Sequence, residues 1–414
     1  MINEEGSKIM INIGYKIMND PIYGLIEIPK GIISKLIEHP YFQRLRRITQ
    51  LGLTHYVYPG AMHNRFHHSI GAMHLTRQAI QALRNKGVKI TDEEAEAVTI
   101  AILLHDLGHG PFSHSLEHCL IDINHESISV LLMEQLNQEF DGKLDLALKI
   151  FKNRYPKKFL YQLVSGQLDM DRMDYLTRDS FFTGVQEGNI GYDRLLKMLN
   201  VHNDKLVIEF KGIYSVENFL IARRLMYWQV YLHKNVICSG EMLVKIAQRA
   251  RYLLEQGSKL PISETLHYFL KQRLTPKELK ENSEEIIKHF YKLDDIDIMS
   301  AIKAFEGHSD FILSFLSKNL LERKLLKIDL RDKPIDAASF EKMSNKIKER
   351  YPFLTEDELS YLVFEGQEAN RAYKLGKEEI LILLKDKTTK PISEWQEHSI
   401  QQKEVVKYYA CYPK

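Results

Sequence analysis

Thr91-Asp92-Glu93-Glu94-Ala95-Glu96-Ala97-Val98-Thr99-Ile100-Ala101-Ile102-Leu103-Leu104-His105-Asp106 reads as a helix that opens at the surface and ends inside the protein. Thr91 and Glu94 have the form of a capping box, in which hydroxyl and carboxylate satisfy free amides at a helix start. Val98, Ile100, Ala101, Ile102, Leu103 and Leu104 are apolar on every face, so this segment is buried all round rather than amphipathic. His105-Asp106 therefore falls at the end of a buried helix, where an ionised carboxylate has to be paired or bound to a cation. Gly108 and the Gly110-Pro111 pair break the helix just beyond it.

On the N-terminal side, two short apolar runs flank Asn19-Asp20-Pro21, which predicts a small hairpin. From Ser34 the apolar spacing becomes helical and runs through Leu36, Ile37, Phe42, Leu45 and Ile48 to a stop near Gly52. A second helix is expected over 64–86, ended by Gly87. On the C-terminal side, helices are expected over 126–139, 157–165 and 169–182, and a strand over 206–210. An aromatic- and arginine-rich pattern fills 215–240, followed by charged helical stretches and strand-like pieces such as 379–384. The fold class is mainly α: a helical core with a small N-terminal β-hairpin and a mixed α+β C-terminal extension. The core domain is set at 15–240 and the extension, with an oligomerisation or regulatory role, at 241–414.

The chain has 414 residues and 44% hydrophobic content, enough for a large core. With 57 basic against 55 acidic residues, its net charge of +2 creates no global field for nucleic acid or an anionic membrane. An anionic substrate must be captured locally. Three isolated cysteines, Cys119, Cys238 and Cys411, suit a reducing compartment. No basic flank leads into an apolar run at the start, and no apolar stretch reaches membrane-spanning length. The expectation is a soluble, cytoplasmic protein without a membrane partner.

His105 and Asp106 gain meaning from their company. His68 lies on the preceding helix, and Asp171 opens another in which Tyr175 and Asp179 follow at spacings of four, on roughly one face. Three helices can then converge on one ion. Imidazole and carboxylate donors suit a divalent manganese, iron, zinc or magnesium ion, with nickel or cobalt as substitutes acquired in purification. His109, His114, Glu117 and the pair His125-Glu126 are acid–base candidates, since an imidazole beside a phosphate keeps its proton and can protonate a leaving oxygen. Glu117, three residues after His114, can orient that ring. Arg65, one turn before His68, can reach a phosphate with a planar fork suited to the task.

The runs Phe42-Gln43-Arg44-Leu45-Arg46, Tyr58-Pro59-Gly60-Ala61 and His63-Asn64-Arg65-Phe66, with His68-Ser69, resemble the HD-domain deoxynucleoside triphosphate triphosphohydrolases. The likeness continues through 105–114, His125-Glu126, Asp169-Met170-Asp171-Arg172, Asp174-Tyr175 and Arg178-Asp179, and covers roughly 15–240. Both the sterile-alpha-motif/HD-domain enzymes and the bacterial dGTPase-like HD phosphohydrolases share this order. The resemblance implies that His68, His105, Asp106 and Asp171 are four ligands of one divalent metal ion. It implies that Arg65, His109, His125 and Arg172 hold phosphates and that His114, supported by Glu117, assists departure of the 5′ oxygen. Gln50 and Asp179 would bind the 3′ hydroxyl, with Tyr175 and Leu51 lining the sugar pocket, and Arg223 and Tyr231 would contact phosphate and base side. Lys16, Asn19, Glu38, Gln43 and Arg46 fall where the family binds an activator nucleotide, GTP or a dNTP. A homo-oligomer, dimer or tetramer, is implied too. Glu38 stands where the animal relatives carry a shorter Asp, and Arg172 replaces their Lys.

Each residue also has a plainer reading. With 17 histidines, adjacency arises by chance, and His63, His67 and His74 match no role and read as surface or packing residues. His109, His114 and His125 have a rival role as ligands of a second metal. The Arg44, Arg46 and Arg47 cluster reads as an exposed helix face and lacks the interleaved aromatics of a nucleic-acid interface. Two other functions stay open: a phosphohydrolase acting on nucleoside monophosphates or cyclic nucleotides, and a nucleotide-binding sensor with a vestigial site.

Overall fold

The computed structural model describes residues 14–112, 115–272, 274–370, 379–395 and 405–414. Its helix Asp92–Leu104 is capped as expected: the Thr91 hydroxyl accepts from the Glu94 amide (3.1 Å) and Glu94 accepts from the Thr91 amide (2.9 Å). Ala97 through Leu104 are all buried, because the helix packs against Arg65–Asn85 on one side and Asp145–Phe151 and Lys158–Val164 on others. Surrounded in this way, it delivers His105 and Asp106 to the interior.

The N-terminal hairpin pairs Tyr15–Asp20 antiparallel with Gly24–Pro29. Asp20 makes its turn by accepting from the amides of Ile22 (2.9 Å) and Tyr23 (3.1 Å). The continuous helix expected from Ser34 to near Gly52 does not form. Ile32–Glu38 stops, Pro40–Gln43 restarts, and Arg44–Arg47 and Gly52–Tyr56 are 3-10 turns. Pro40 is the cause: it has no amide to continue the ladder and forces His39 into an extended conformation, ψ 140°.

The helices Arg65–Asn85 and Met170–Thr183 pack closely. Gly71 permits it, since a Cβ there would lie 1.9 Å from Asp174 Oδ1 and 2.3 Å from Arg178 Nη2. Arg178, fully buried, bonds Asp174 through Nε (2.9 Å) and Asp20 through Nη1 (2.9 Å), tying the hairpin to this helix pair.

Residue 240, where the sequence reading divides the chain, lies inside one helix, Lys234–Glu255. Strand Leu381–Leu383 runs parallel to Lys205–Glu209, in a sheet completed by Leu199–His202 and Thr389–Pro391. A second sheet places Val405–Tyr412 between Lys327–Arg331 and Phe364–Asn370, all antiparallel. Apolar residues from Ile26 to Cys411 form one buried cluster. Among the described residues, no helix is long and apolar enough to cross a membrane.

Candidate active site

His68 lies in the first turns of the helix Arg65–Asn85, whose start Asn64 caps by accepting from the His67 amide (3.2 Å). Asp171 is the second residue of Met170–Thr183, capped by Asp169, which accepts from the Arg172 amide (2.7 Å). Helix starts and a helix end thus meet at one point. His68 Nε2 is 3.3 Å from His105 Nε2 and 3.1 Å from Asp171 Oδ1, and His105 Nε2 is 3.5 Å from the same oxygen. Asp106 stands at the edge of this trio, 3.3 Å from His105 Nε2 and 3.7 Å from His68 Nε2, and also takes Arg65 Nη1 at 2.5 Å.

Both rings are held from behind. His68 Nδ1 bonds Asp174 Oδ2 (2.8 Å), and His105 Nδ1 donates to the Ile102 carbonyl (2.6 Å). A carbonyl can only accept, so His105 carries a proton on Nδ1 and turns Nε2 toward the centre. Outer partners of this kind orient the imidazoles of metal sites. The charges agree. Burial opposes protonation of His68, yet hydrogen bonds to Asp171 and Asp174 push it up to about 10. Burial likewise opposes ionisation of Asp171 and Asp106, and the histidine rings, with Arg65 beside Asp106, hold both below the usual carboxylate range. This is a centre built to hold a cation, and its donor set fits one divalent ion.

A second group, His109, Glu117 and His125, lies alongside, its ligand atoms also within 4.8 Å of one another. His125 Nδ1 bonds Glu117 Oε1 at 2.5 Å, and the His125 ring stacks on His109 at 3.9 Å. His114, and with it the expected pairing of His114 with Glu117, falls outside the described residues. His109 Nε2 reaches Asp106 Oδ1 at 3.3 Å. Burial, with Arg65 adding to it, pushes the His109 ring well below its ordinary value, so it is neutral. Gly108 lets this loop approach, because a Cβ there would lie 2.0 Å from the His125 carbonyl.

His68, His105 and Asp171 of the first group and His109 and His125 of the second line a cavity of about 610 Å³, with Glu117 behind the lining; the cavity also exposes Gln50, Leu51, Tyr175, Asp179 and Tyr231, with Glu126 exposed at its edge. Asp179 is buried and takes the Tyr231 hydroxyl (2.7 Å) on one oxygen and His63 Nε2 (2.7 Å) on the other. Among the described residues, the buried Gln50 Oε1 atom has no hydrogen-bond partner.

Residues 65–179 match the family described as the HD domain, and residues 190–260 the HD-associated region. A phosphohydrolase of Bacteroides thetaiotaomicron, solved by crystallography, is 48% identical, with a TM-score of 0.92 over 97% of this chain and 100% of that one. The uncharacterized protein YwfO of Bacillus subtilis is 33% identical over 75% of this chain and 71% of its own length. The chain belongs to the HD-domain phosphohydrolases. The protein named deoxynucleoside triphosphate triphosphohydrolase SAMHD1 homolog in Dictyostelium discoideum is 32% identical over 70% of this chain, which spans 62% of that protein. Against human SAMHD1, 33% identical, the chain spans 42% of the relative's length.

Not every expected residue reaches the HD phosphohydrolase cavity. Arg172 does not line it; its Nη1 bonds Asp169 at 2.5 Å. Arg223 also stays off the lining, buried, with Nε and Nη1 lacking hydrogen-bond partners among the described residues. Its charge opposes the larger effect of burial, which pushes the Tyr175 hydroxyl up. The five residues of the expected activator site lie outside the cavity. There Lys16 pairs with Glu38, Gln43 Nε2 donates to the Ile37 carbonyl (2.7 Å), Arg46 Nε donates to Gln43 (2.9 Å), and Asn19 is exposed in the hairpin. His63, read from sequence as a surface or packing residue without a role, is buried against Phe182 and bonded to Asp179. No local signal points to it, because its partner is 116 positions away.

Proposed function

We propose that this HD phosphohydrolase hydrolyses deoxynucleoside triphosphates to a deoxynucleoside and inorganic triphosphate, using one divalent ion held by His68, His105, Asp106 and Asp171. The observation that carries this reading is the unpartnered Gln50 Oε1 in the cavity that also holds Asp179, Tyr175 and the histidines. A buried acceptor left unmade is costly, and a sugar 3′ hydroxyl would satisfy it. The relatives named as deoxynucleoside triphosphate triphosphohydrolases support the same substrate class.

When bound, the ion would supply the Lewis-acid field that acidifies water and stabilises charge on the phosphate. Asp179, fixed by Tyr231 and His63, and Gln50 hold the sugar. Tyr175 closes the space where a 2′ hydroxyl would sit. Arg65 and His109 face the phosphates, His125 is kept in one orientation by Glu117, and His114 is the acid for the 5′ oxygen. The surface around Lys16, Glu38, Gln43 and Arg46 is the proposed activator site, and assembly into a dimer or tetramer belongs to the same reading.

The test is purified protein with each deoxynucleotide and ribonucleotide, each candidate metal, and GTP present or absent, with products separated by chromatography. Triphosphate release from deoxynucleotides is expected; release of monophosphate, or turnover only of cyclic nucleotides, would sink the proposal. A second reading, a second ion at His109, Glu117 and His125, is favoured by the closeness of their ligand atoms. Two ions per chain by metal analysis would establish it.

A further inference from the structure

The segment after residue 240 contributes a residue that holds two walls of the cavity together. Asp295 opens the helix Asp295–Phe305, is 8% exposed and does not line the cavity. Its Oδ1 accepts from the Phe112 amide (2.8 Å), and its Oδ2 accepts from both the amide (2.8 Å) and the hydroxyl (2.7 Å) of Thr49. Phe112 ends the described part of the loop that carries His109; Thr49 precedes Gln50.

Phe112 needs such a hold. Its φ of 51° lies in the left-handed region, which a bulky aromatic seldom adopts unless its surroundings fix it. Neighbouring contacts reinforce the same junction. Arg44, buried, donates through Nε to the Leu293 carbonyl (2.6 Å) and reaches the Leu107 carbonyl through Nη1 (3.4 Å), while Arg47 pairs with Asp294. The Gln50 amide in turn donates to the His63 carbonyl (3.0 Å), which orders the strip leading to the sugar pocket.

We propose that Asp295 is a positioning residue of this site: one carboxylate, supplied from the C-terminal segment, sets the spacing between the loop of His109 and the strip of Gln50. Both of its oxygens are needed. An amide offers one acceptor and turns donors toward the other arm, so Asp295→Asn releases one wall while keeping size and shape.

The experiment compares wild type, Asp295→Asn, Thr49→Val and Asp310→Asn with dGTP and manganese, measuring kcat, KM, bound metal and amide exchange at Phe112. Asp310, half-buried, pairs with Arg249 (2.6 Å) away from the cavity lining and controls for the loss of a hydrogen-bonded carboxylate. For Asp295→Asn, kcat is expected to fall about 10- to 100-fold through misplaced groups, with KM within about threefold, full metal content and faster Phe112 exchange. Thr49→Val, which removes one of the three bonds, gives a smaller fall in the same parameter and serves if Asp295→Asn does not fold. The proposal is overturned if kcat stays within about twofold of wild type, if metal is lost in proportion to activity, or if Asp310→Asn falls as far. Should wild type release no triphosphate from dGTP, the substrate assignment fails, and Phe112 exchange alone then decides the role of Asp295: unchanged exchange refutes it.

Discussion

Two groups of His and acidic residues stand side by side in the cavity, each with ligand atoms within 4.8 Å, yet they are built differently. In His68–His105–Asp171 each ring is anchored outward, to Asp174 or to the Ile102 carbonyl, which leaves both Nε2 atoms facing one point. In His109–Glu117–His125 the carboxylate is bonded to one of the rings, and the rings stack face to face at 3.9 Å rather than converge. The first arrangement presents two ring nitrogens and a carboxylate to one point; the second ties its carboxylate to a ring. Proximity of donors is therefore a weaker criterion than where each ring's other nitrogen is tied.

The widest separation between the two groups is expected from their alanine variants. His105→Ala should lose the ion and about a thousandfold or more of turnover, the several kcal/mol a Lewis acid contributes, as read by metal analysis beside product release. His125→Ala should keep the ion and lose roughly 10²- to 10⁴-fold in kcat, the range of an acid–base group. If His125→Ala also strips the metal, the comparison breaks and the second group is a metal site.

A smaller effect sharpens the claim about anchoring. Asp174→Asn leaves all four proposed ligands in place but weakens the orientation of His68, so metal affinity should drop roughly 10- to 100-fold in a manganese titration. Smallest is Glu94→Gln, at the far end of the helix that carries His105 and Asp106. Burial opposes ionisation of Glu94, but Lys157, the Thr91 amide and Tyr155 outweigh it and hold the carboxyl below its usual 4.5. A lowered folded pKa stabilises fully above that value and loses its contribution as pH falls through the folded one. Glu94→Gln should thus cost about 1–2 kcal/mol near neutral pH, and the gap to wild type in urea denaturation should narrow as pH falls below 4.5 through the lowered value. Metal content and kcat should not move.

Legibility followed the range of the interactions. The capping box at Thr91 and Glu94, the largely apolar stretch 98–104 and the hairpin turn at Asp20 depend on neighbours a few positions apart, and all three form. Pro40 was a local signal too, and it outweighed an apolar spacing that continued past it. By contrast, the bond between Glu117 and His125, eight positions on, has no helical spacing to announce it. His63 and Asp295 carry no local mark at all, since their partners lie 116 and 246 positions away.

The helical class, the buried helix ending in His105-Asp106 and the order of His68, His105, Asp106 and Asp171 were written in the sequence, because periodicity and capping act over single turns. Which nitrogen of each ring faces the centre, and which carboxylate serves which ring, was decided only by tertiary structure. So was the hold of Asp295 on both walls. Those choices depend on helices meeting at Gly71 and on a C-terminal segment packing against the HD core, and no residue's neighbours along the chain record who its neighbours in space will be.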